Sequence, residues 1–244
     1  MQVVRKYIPA NLRRLVKITL RRSNDFFNGS HKKMATAQGN ANNFHCIKSI
    51  EQPIKVTETA IFKTHNIGLT IQKINHIIIG PGQIFSFWKL VGNPSQKNGY
   101  KKSRSIVGNV LQEEVGGGLC QLSGLIYFLA LHAGLTITER HSHSLDIYKE
   151  EERFTPLGSD ATVVYGYKDL RFINPYPFPV CISFQLTANI LTGKISSGEK
   201  VDPCIIEFEY NRTESHTDVG TISIMNQQRS VINRSRYQLM HQVL

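Results

Sequence analysis

Hydrophobic positions recur with helical spacing in the first half of this chain and gather into short strand-like runs from about residue 136 onward. Leu12, Leu15, Val16, Thr19 and Leu20 share one face of the stretch Pro9 to Arg22, with Arg and Lys around it, which predicts a short amphipathic helix. Residues 23–45 are rich in Asn, Ser and Gly, lack periodicity and read as an irregular linker. Lys55 to Phe62 alternates in the manner of a strand. Asn66 then reads as the N-cap of a helix carrying Ile67, Ile71, Ile74 and Ile78 on one face, stopped by Gly80-Pro81-Gly82. Ile84 to Val91 is aromatic and β-prone, Gly92 to Ser103 is a loop, and Ser105 to Leu111 reads as a short strand.

The strongest helical signal runs from Leu119 to Ala133. Leu122, Leu125, Ile126, Leu129, Ala130 and Ala133 mark one face, and Phe128 and Leu131 make the segment apolar nearly all round. Such a helix belongs at the centre of a core, and Gly134 is its natural C-terminal stop. Strands are predicted at Ile137–Ser144, Ala161–Tyr167, Leu170–Asn174, Val180–Thr187, Ile190–Ser196 and Cys204–Tyr210, with Pro175, Pro177 and Pro179 in a turn or at an edge. There is no internal repeat and no βαβ alternation. The fold class is therefore α+β: a central buried helix carrying Cys120, packed on a mainly antiparallel sheet.

Composition adds two constraints. With 244 residues, 41% of them hydrophobic, a sizeable core needs no disulfides. The four cysteines (Cys46, Cys120, Cys181 and Cys204) are scattered without a CxxC pair, which suits a reducing compartment or one functional thiol among passengers. The formal charge of +11 is concentrated at one end: residues 1–33 hold nine Lys or Arg against one acid, Asp25, and the remainder holds 20 bases against 17 acids. The body thus lacks a basic face with interleaved aromatics, which argues against nucleic acid as a partner. The basic residues interrupt any secretory h-region, and no apolar run is long enough to span a bilayer. The expected location is cytoplasmic or peripheral at the inner membrane face. Residues 5–22 fit a helix lying on an anionic membrane, and equally one docked on its own domain or a solvated arm.

Candidate chemistry centres on Gly116-Gly117-Gly118-Leu119-Cys120-Gln121-Leu122-Ser123. A thiol in the first turn of a helix feels the positive end of the helix dipole, which favours thiolate. A glycine loop in front of it permits close approach of another backbone or a substrate. About twenty residues on, Arg140-His141-Ser142-His143-Ser144 supplies two histidines that would share a face if the segment is a strand, and either could take the thiol proton. Asp160 is a candidate to orient a histidine, with Asp146 as competitor. Gln121 is a candidate donor to an oxyanion. Gly116, Gly117, Gly118, Gln121, Ser123 and Arg140 make up the expected substrate-binding set. Zinc held by Cys120, His141 and His143 is the minor alternative, because no recognised zinc spacing or fourth ligand is present. No cofactor is predicted: Walker, dinucleotide and GxSxG fingerprints are missing.

Four stretches in series resemble hallmarks of the VanW family: Pro81 to Trp88 (PGQIFSFW), Gly116 to Ser123 (GGGLCQLS), Glu139 to Ser144 (ERHSHS) and Gly158 to Val163 (GSDATV). The resemblance covers roughly residues 46–190 and is closest to short forms encoded with vancomycin-resistance operons. It implies a division into a basic helix and linker (1–45), a VanW-like α+β domain (46–212) and a C-terminal β extension packed on it (213–244). It also implies an accessory role in glycopeptide resistance or cell-wall metabolism. Some longer members are understood to cross-link peptidoglycan as L,D-transpeptidases, with the cysteine of the GGxCQ motif as nucleophile. Carried across, the implied catalytic residues are Cys120, His141, His143 and Asp160, and the implied partner is a peptidoglycan stem peptide or precursor. The competing expectation is a non-catalytic module that binds a cell-wall precursor in the same glycine-lined groove.

Overall fold

The computed structural model describes residues 9–55, 60–107, 110–146, 153–225 and 227–239. The helices are α1 (Ala10–Phe27), α2 (Ala60–Ile74), α3 (Phe87–Val91) and α4 (Leu119–His132). The strands are β1 (His45–Pro53), β2 (Ile77–Ile79), β3 (Ile84–Ser86), β4 (Lys102–Val107), β5 (Val110–Val115), β6 (Thr136–Glu139), β7 (Leu145–Asp146), β8 (Arg171–Ile173), β9 (Val180–Leu186), β10 (Ile190–Ser197), β11 (Ile205–Arg212), β12 (His216–Met225) and β13 (Gln228–Leu239). Among the described residues they form sheets ordered β1-β10-β9-β2, β11-β12-β13-β7 and β3-β8-β6, with β4-β5 as a separate pair. Pairing is antiparallel except where β13 meets β7. The protein is α+β, with the Cys120 helix at its centre.

That helix is central because it has no polar stripe to offer solvent. Leu122, Leu125, Ile126, Leu129 and Ala130 are fully buried and pack toward β1 and β10. The approach is close: a Cβ at Gly193 of β10 would lie 2.8 Å from Leu129 and 2.9 Å from Leu125. On another side α4 packs on the Asp160–Ala161 backbone, from which a Cβ at Gly124 would lie 3.5 Å. Phe85 of β3 and Phe172 of β8 are register partners, and their rings stack at 4.6 Å. A smaller cluster of Leu157, Val219 and Tyr237, flanked by Phe208, underlies β11–β13. Residues on either side of position 212 form one meander, with Arg212 opposite Thr217.

Several elements differ from the sequence expectation. The N-terminal helix runs on to Phe27, and residues 45–53, which carry no clear pattern of their own, form β1 against β10. The strand expected at Lys55–Phe62 lies partly outside the described residues, and its described end, from Ala60, belongs to α2. Asn66 is accordingly inside α2 and fully buried, not its N-cap. Ile78 belongs to β2, because His76 takes a left-handed conformation and ends the helix early. Ile84–Val91 divides at Ser86, whose hydroxyl accepts from the Lys89 amide and starts α3. Two expected strands are shorter or replaced by loop. β6 stops at Glu139, and 161–167 is irregular, because both segments bond to each other and to α4 instead of to strand neighbours.

Candidate active site

Three segments meet at the start of α4. The glycine loop before it is folded by a side-chain clamp: Asn66 donates to the carbonyls of Lys101 and Gly117 at 3.0 Å each and accepts from the Lys101 amide at 2.8 Å. Gly117 itself sits on the backbone of Ser103; a Cβ there would lie 2.4 Å from the Ser103 carbonyl oxygen. Gly116 and Gly118 both have positive φ, 87° and 100°, a region costly for other residues. The loop therefore delivers the chain into α4 with Cys120 as its second helical residue. The first-turn amides of a helix have no intrahelical acceptor, so this end favours an anion.

The second segment is 140–144 and the third 158–163. Ser123, buried in α4, donates to the Ala161 carbonyl at 2.6 Å, and the Thr162 amide donates to the His141 carbonyl at 2.7 Å. These bonds bring His143 and Asp160 to Cys120. Asp160 Oδ2 accepts from both the backbone amide and Nδ1 of His143, at 2.7 Å each. With Nδ1 committed to the carboxylate, the other ring nitrogen is left for the Cys120 thiol, and His143 is the group whose proximity and charge act most on that thiol. Cys120 Sγ also lies 3.9 Å from the Val163 carbonyl oxygen.

Asp160 Oδ1 serves a different set of partners. It accepts from Arg140 Nη2 at 2.9 Å and from the Tyr237 hydroxyl at 2.5 Å. Arg140 is almost fully buried and also donates to the carbonyls of Asp160 (2.7 Å) and Gly158 (3.1 Å), to Ser235 and to Tyr237. Its guanidinium stacks over the Tyr127 ring at 5.0 Å. Sequence reasoning missed Tyr127, Ser235 and Tyr237. Nothing near positions 235–237 marks them, because they reach the site through the β13 register.

The electrostatics follow from this geometry. Burial pushes the Asp160 carboxyl up, but the His143 hydrogen bond and the Arg140 charge outweigh it and hold it well below the usual carboxylate range. Burial would lower His143; the Asp160 and Cys120 hydrogen bonds overcome that and push it up to about 10. Burial would raise the Cys120 thiol, yet the hydrogen bond and charge of His143 bring it below its ordinary value. Both shifts run toward a thiolate–imidazolium pair backed by a carboxylate. Cys181, buried without such a partner, is pushed up to about 11.

The remaining expected residues lie elsewhere. His141 turns away from the thiol and bonds Glu139 Oε1 through Nε2 at 3.1 Å. Gln121 donates to the Pro53 carbonyl at 3.1 Å. Ser123 and Arg140 are structural partners of the 158–163 segment and do not face open space. Asp146 pairs with Arg153. Cys120, His143 and Gly116 line a cleft of about 720 Å³ whose walls include Trp88, Tyr165 and Glu114. Thr162 also borders it, and among the described residues its buried hydroxyl has no hydrogen-bond partner. Among the described residues, no group of three or more His, Cys, Asp or Glu side chains is arranged to hold a metal ion.

Fold and site together define an α+β protein organised around a cysteine–histidine–aspartate cluster at the start of a buried helix. The family model described as VanW like protein matches residues 62–196, and the chain belongs to that family. It is 38% identical over 120 residues to Uncharacterized protein YoaR of Bacillus subtilis (strain 168), a match covering 49% of this chain and 38% of that relative. It is 35% identical over 112 residues to Vancomycin B-type resistance protein VanW of Enterococcus faecalis (strain ATCC 700802 / V583), covering 46% of this chain and 41% of the relative. The matched regions thus span about two fifths of the length of these curated relatives. No solved structure matches. Among the described residues, no helix is long and apolar enough to cross a membrane.

Proposed function

We propose that this protein is a cysteine-dependent acyltransferase acting on peptide stems of the cell wall, of the L,D-transpeptidase type. The observation that carries the reading is the shared Asp160 carboxylate: one oxygen fixes His143 against Cys120, and the other is neutralised by a buried arginine. This is the arrangement that keeps a thiolate nucleophile charged and its imidazolium partner protonated. The cell-wall substrate rests on family membership and on the printed name of the Enterococcus relative, which links that protein to vancomycin resistance.

In the first step Cys120 thiolate attacks a stem-peptide amide carbonyl. The Leu119 and Gln121 amides donate to the Gly116 and Gly118 carbonyls, so the backbone donor assigned to the oxyanion is the Cys120 amide between them. The C–N bond breaks, the leaving amine takes the His143 proton, and a thioester remains on Cys120. In the second step an amine of another stem, or water, loses a proton to His143 and attacks the thioester. The C–S bond breaks and the thiolate–imidazolium pair is restored. Thr162 and the aromatic wall of Trp88 and Tyr165 are the contacts available to the stem.

The test is intact-protein mass spectrometry after incubation with purified tetra- and pentapeptide muropeptides. An acyl adduct mapped to Cys120, lost in Cys120→Ala, is expected. Saturable muropeptide binding that survives Cys120→Ala, with no adduct and no cross-linked or trimmed product, would make this a binding module instead.

A further inference from the structure

α1 is mounted with its apolar face outward. Leu12, Leu15, Val16, Leu20, Phe26 and Phe27 are all at least half exposed, and Phe27 reaches 85%. The opposite face is fastened to the domain by charges. Arg21 makes a bidentate pair with Glu139, at 2.5 and 2.9 Å, and a bond to the Tyr167 carbonyl at 3.1 Å. Asp25 makes a bidentate pair with Arg171, at 2.6 and 2.9 Å. Gly166 fits between: a Cβ there would meet both Arg14 and Ile18 at 3.1 Å.

This inverts the usual arrangement, in which an amphipathic helix buries its apolar stripe and exposes its charges. Helical spacing puts the exposed apolar residues on one arc opposite Arg14, Arg21 and Asp25. Arg13 and Lys17 border that arc on one side and Arg22 on the other, all three exposed. Lys32 and Lys33 follow in the next turn, also exposed. An outward apolar stripe bordered by cations is complementary to one class of surface, the headgroup layer of an anionic bilayer.

We infer that α1 is an in-plane docking helix for an anionic membrane. Arg14, one turn from Ile18 on the inner face of α1, lines the same cleft as Cys120 and His143. The inference concerns the membrane contact alone and does not depend on cysteine chemistry.

The experiment is co-sedimentation of the full chain with vesicles of equal parts phosphatidylglycerol and phosphatidylcholine, against phosphatidylcholine alone, with sedimentation velocity run in parallel. Leu15→Gln with Leu20→Gln removes apolar exposure without touching the ion pairs, so circular dichroism and melting should match the parent. Binding to the anionic vesicles is expected, weakened roughly tenfold or more by the double substitution and weakened also by salt and by Arg13→Ser with Lys17→Ser. Equal partitioning of parent and double variant would overturn the inference. So would a parent chain that ignores vesicles but forms a dimer lost in the double variant, since the face would then belong to a second copy.

Discussion

Replacing Asp160 by Asn tests the electrostatic core of the site with almost no change of shape. The rise of His143 from 6.5 to about 10 is a difference of about 5 kcal/mol between its protonation states. The Asp160 hydrogen bond leads the favourable causes, followed by the interaction with Cys120 and then by the charges of the two. Assigning about half to Asp160 gives roughly 2–3 kcal/mol, so His143 should fall by about two pH units and Cys120 should rise with it. The amide cannot satisfy both sides, because each carboxylate oxygen now faces two donors: His143 with its own backbone amide, and Arg140 with Tyr237. Arg140 would be left buried without its counter-charge, costing a further ~3 kcal/mol or more of stability. Alkylation of each cysteine by iodoacetamide across a pH series, read by mass spectrometry, reports the thiolate directly. The expected result at neutral pH is a Cys120 rate roughly ten- to a hundredfold lower. Tyr237→Phe keeps the carboxylate and removes the hydroxyl's bonds to Asp160 and from Arg140, so it should destabilise by roughly 1–3 kcal/mol and leave Cys120 reactive. A folded Asp160→Asn protein whose Cys120 titrates as in the parent would refute the reasoning.

Two other perturbations have defined outcomes. The reactivity of Cys120 should climb as pH rises through a value below 9. Acyl transfer should then fall as His143 loses its proton near pH 10, giving a bell-shaped profile measured with a thioester substrate. Stability follows the same signs in thermal melts. The His143 contribution is complete below pH 6.5 and lost as pH rises through about 10, whereas the Asp160 contribution is present above 3.8 and lost as pH falls through its depressed folded value. Gly117→Ala should cost more than ~2 kcal/mol in chemical denaturation, because its Cβ would fall 2.4 Å from a backbone oxygen that is itself held in the β4–β5 pair. Melting within a degree of the parent would show that the loop can yield.

What the sequence disclosed was local. The all-round apolar helix, the glycines ahead of it and the thiol in its first turn lie within eighteen residues, so their relation needs no tertiary knowledge. The histidine assignment was not legible. It assumed a strand continuing to Ser144, and the chain leaves the sheet at Glu139, so His141 and His143 part company. Asn66 misled for a related reason. A polar residue ahead of an apolar run resembles a helix cap, and only the fold shows that its amide is needed to hold the Gly117 and Lys101 backbone. The orientation of α1 was equally hidden. Its stripe is plain in the sequence, but which face meets the domain depends on Glu139 and Arg171, over a hundred residues away.

Glu139 and Arg140 are neighbours with opposite charges, and they hold opposite ends of the molecule's polar frame. Glu139 takes Arg21 of α1 on one side and the Asp169 backbone amide on the other. Arg140 takes Asp160 and, through Ser235 and Tyr237, the C-terminal hairpin. The loop that carries His143 therefore begins at a point tied both to the outward-facing helix and to the carboxylate behind the imidazole. A buried arginine is costly without a partner, and a buried aspartate likewise. Here each is tolerable because of the other, and the second oxygen of the same carboxylate remains for His143. The charge that keeps the histidine protonated is thus one that the fold already requires for Arg140. Any VanW-like sequence that loses the arginine should consequently either lose Asp160 as well or carry another buried cation against Oδ1.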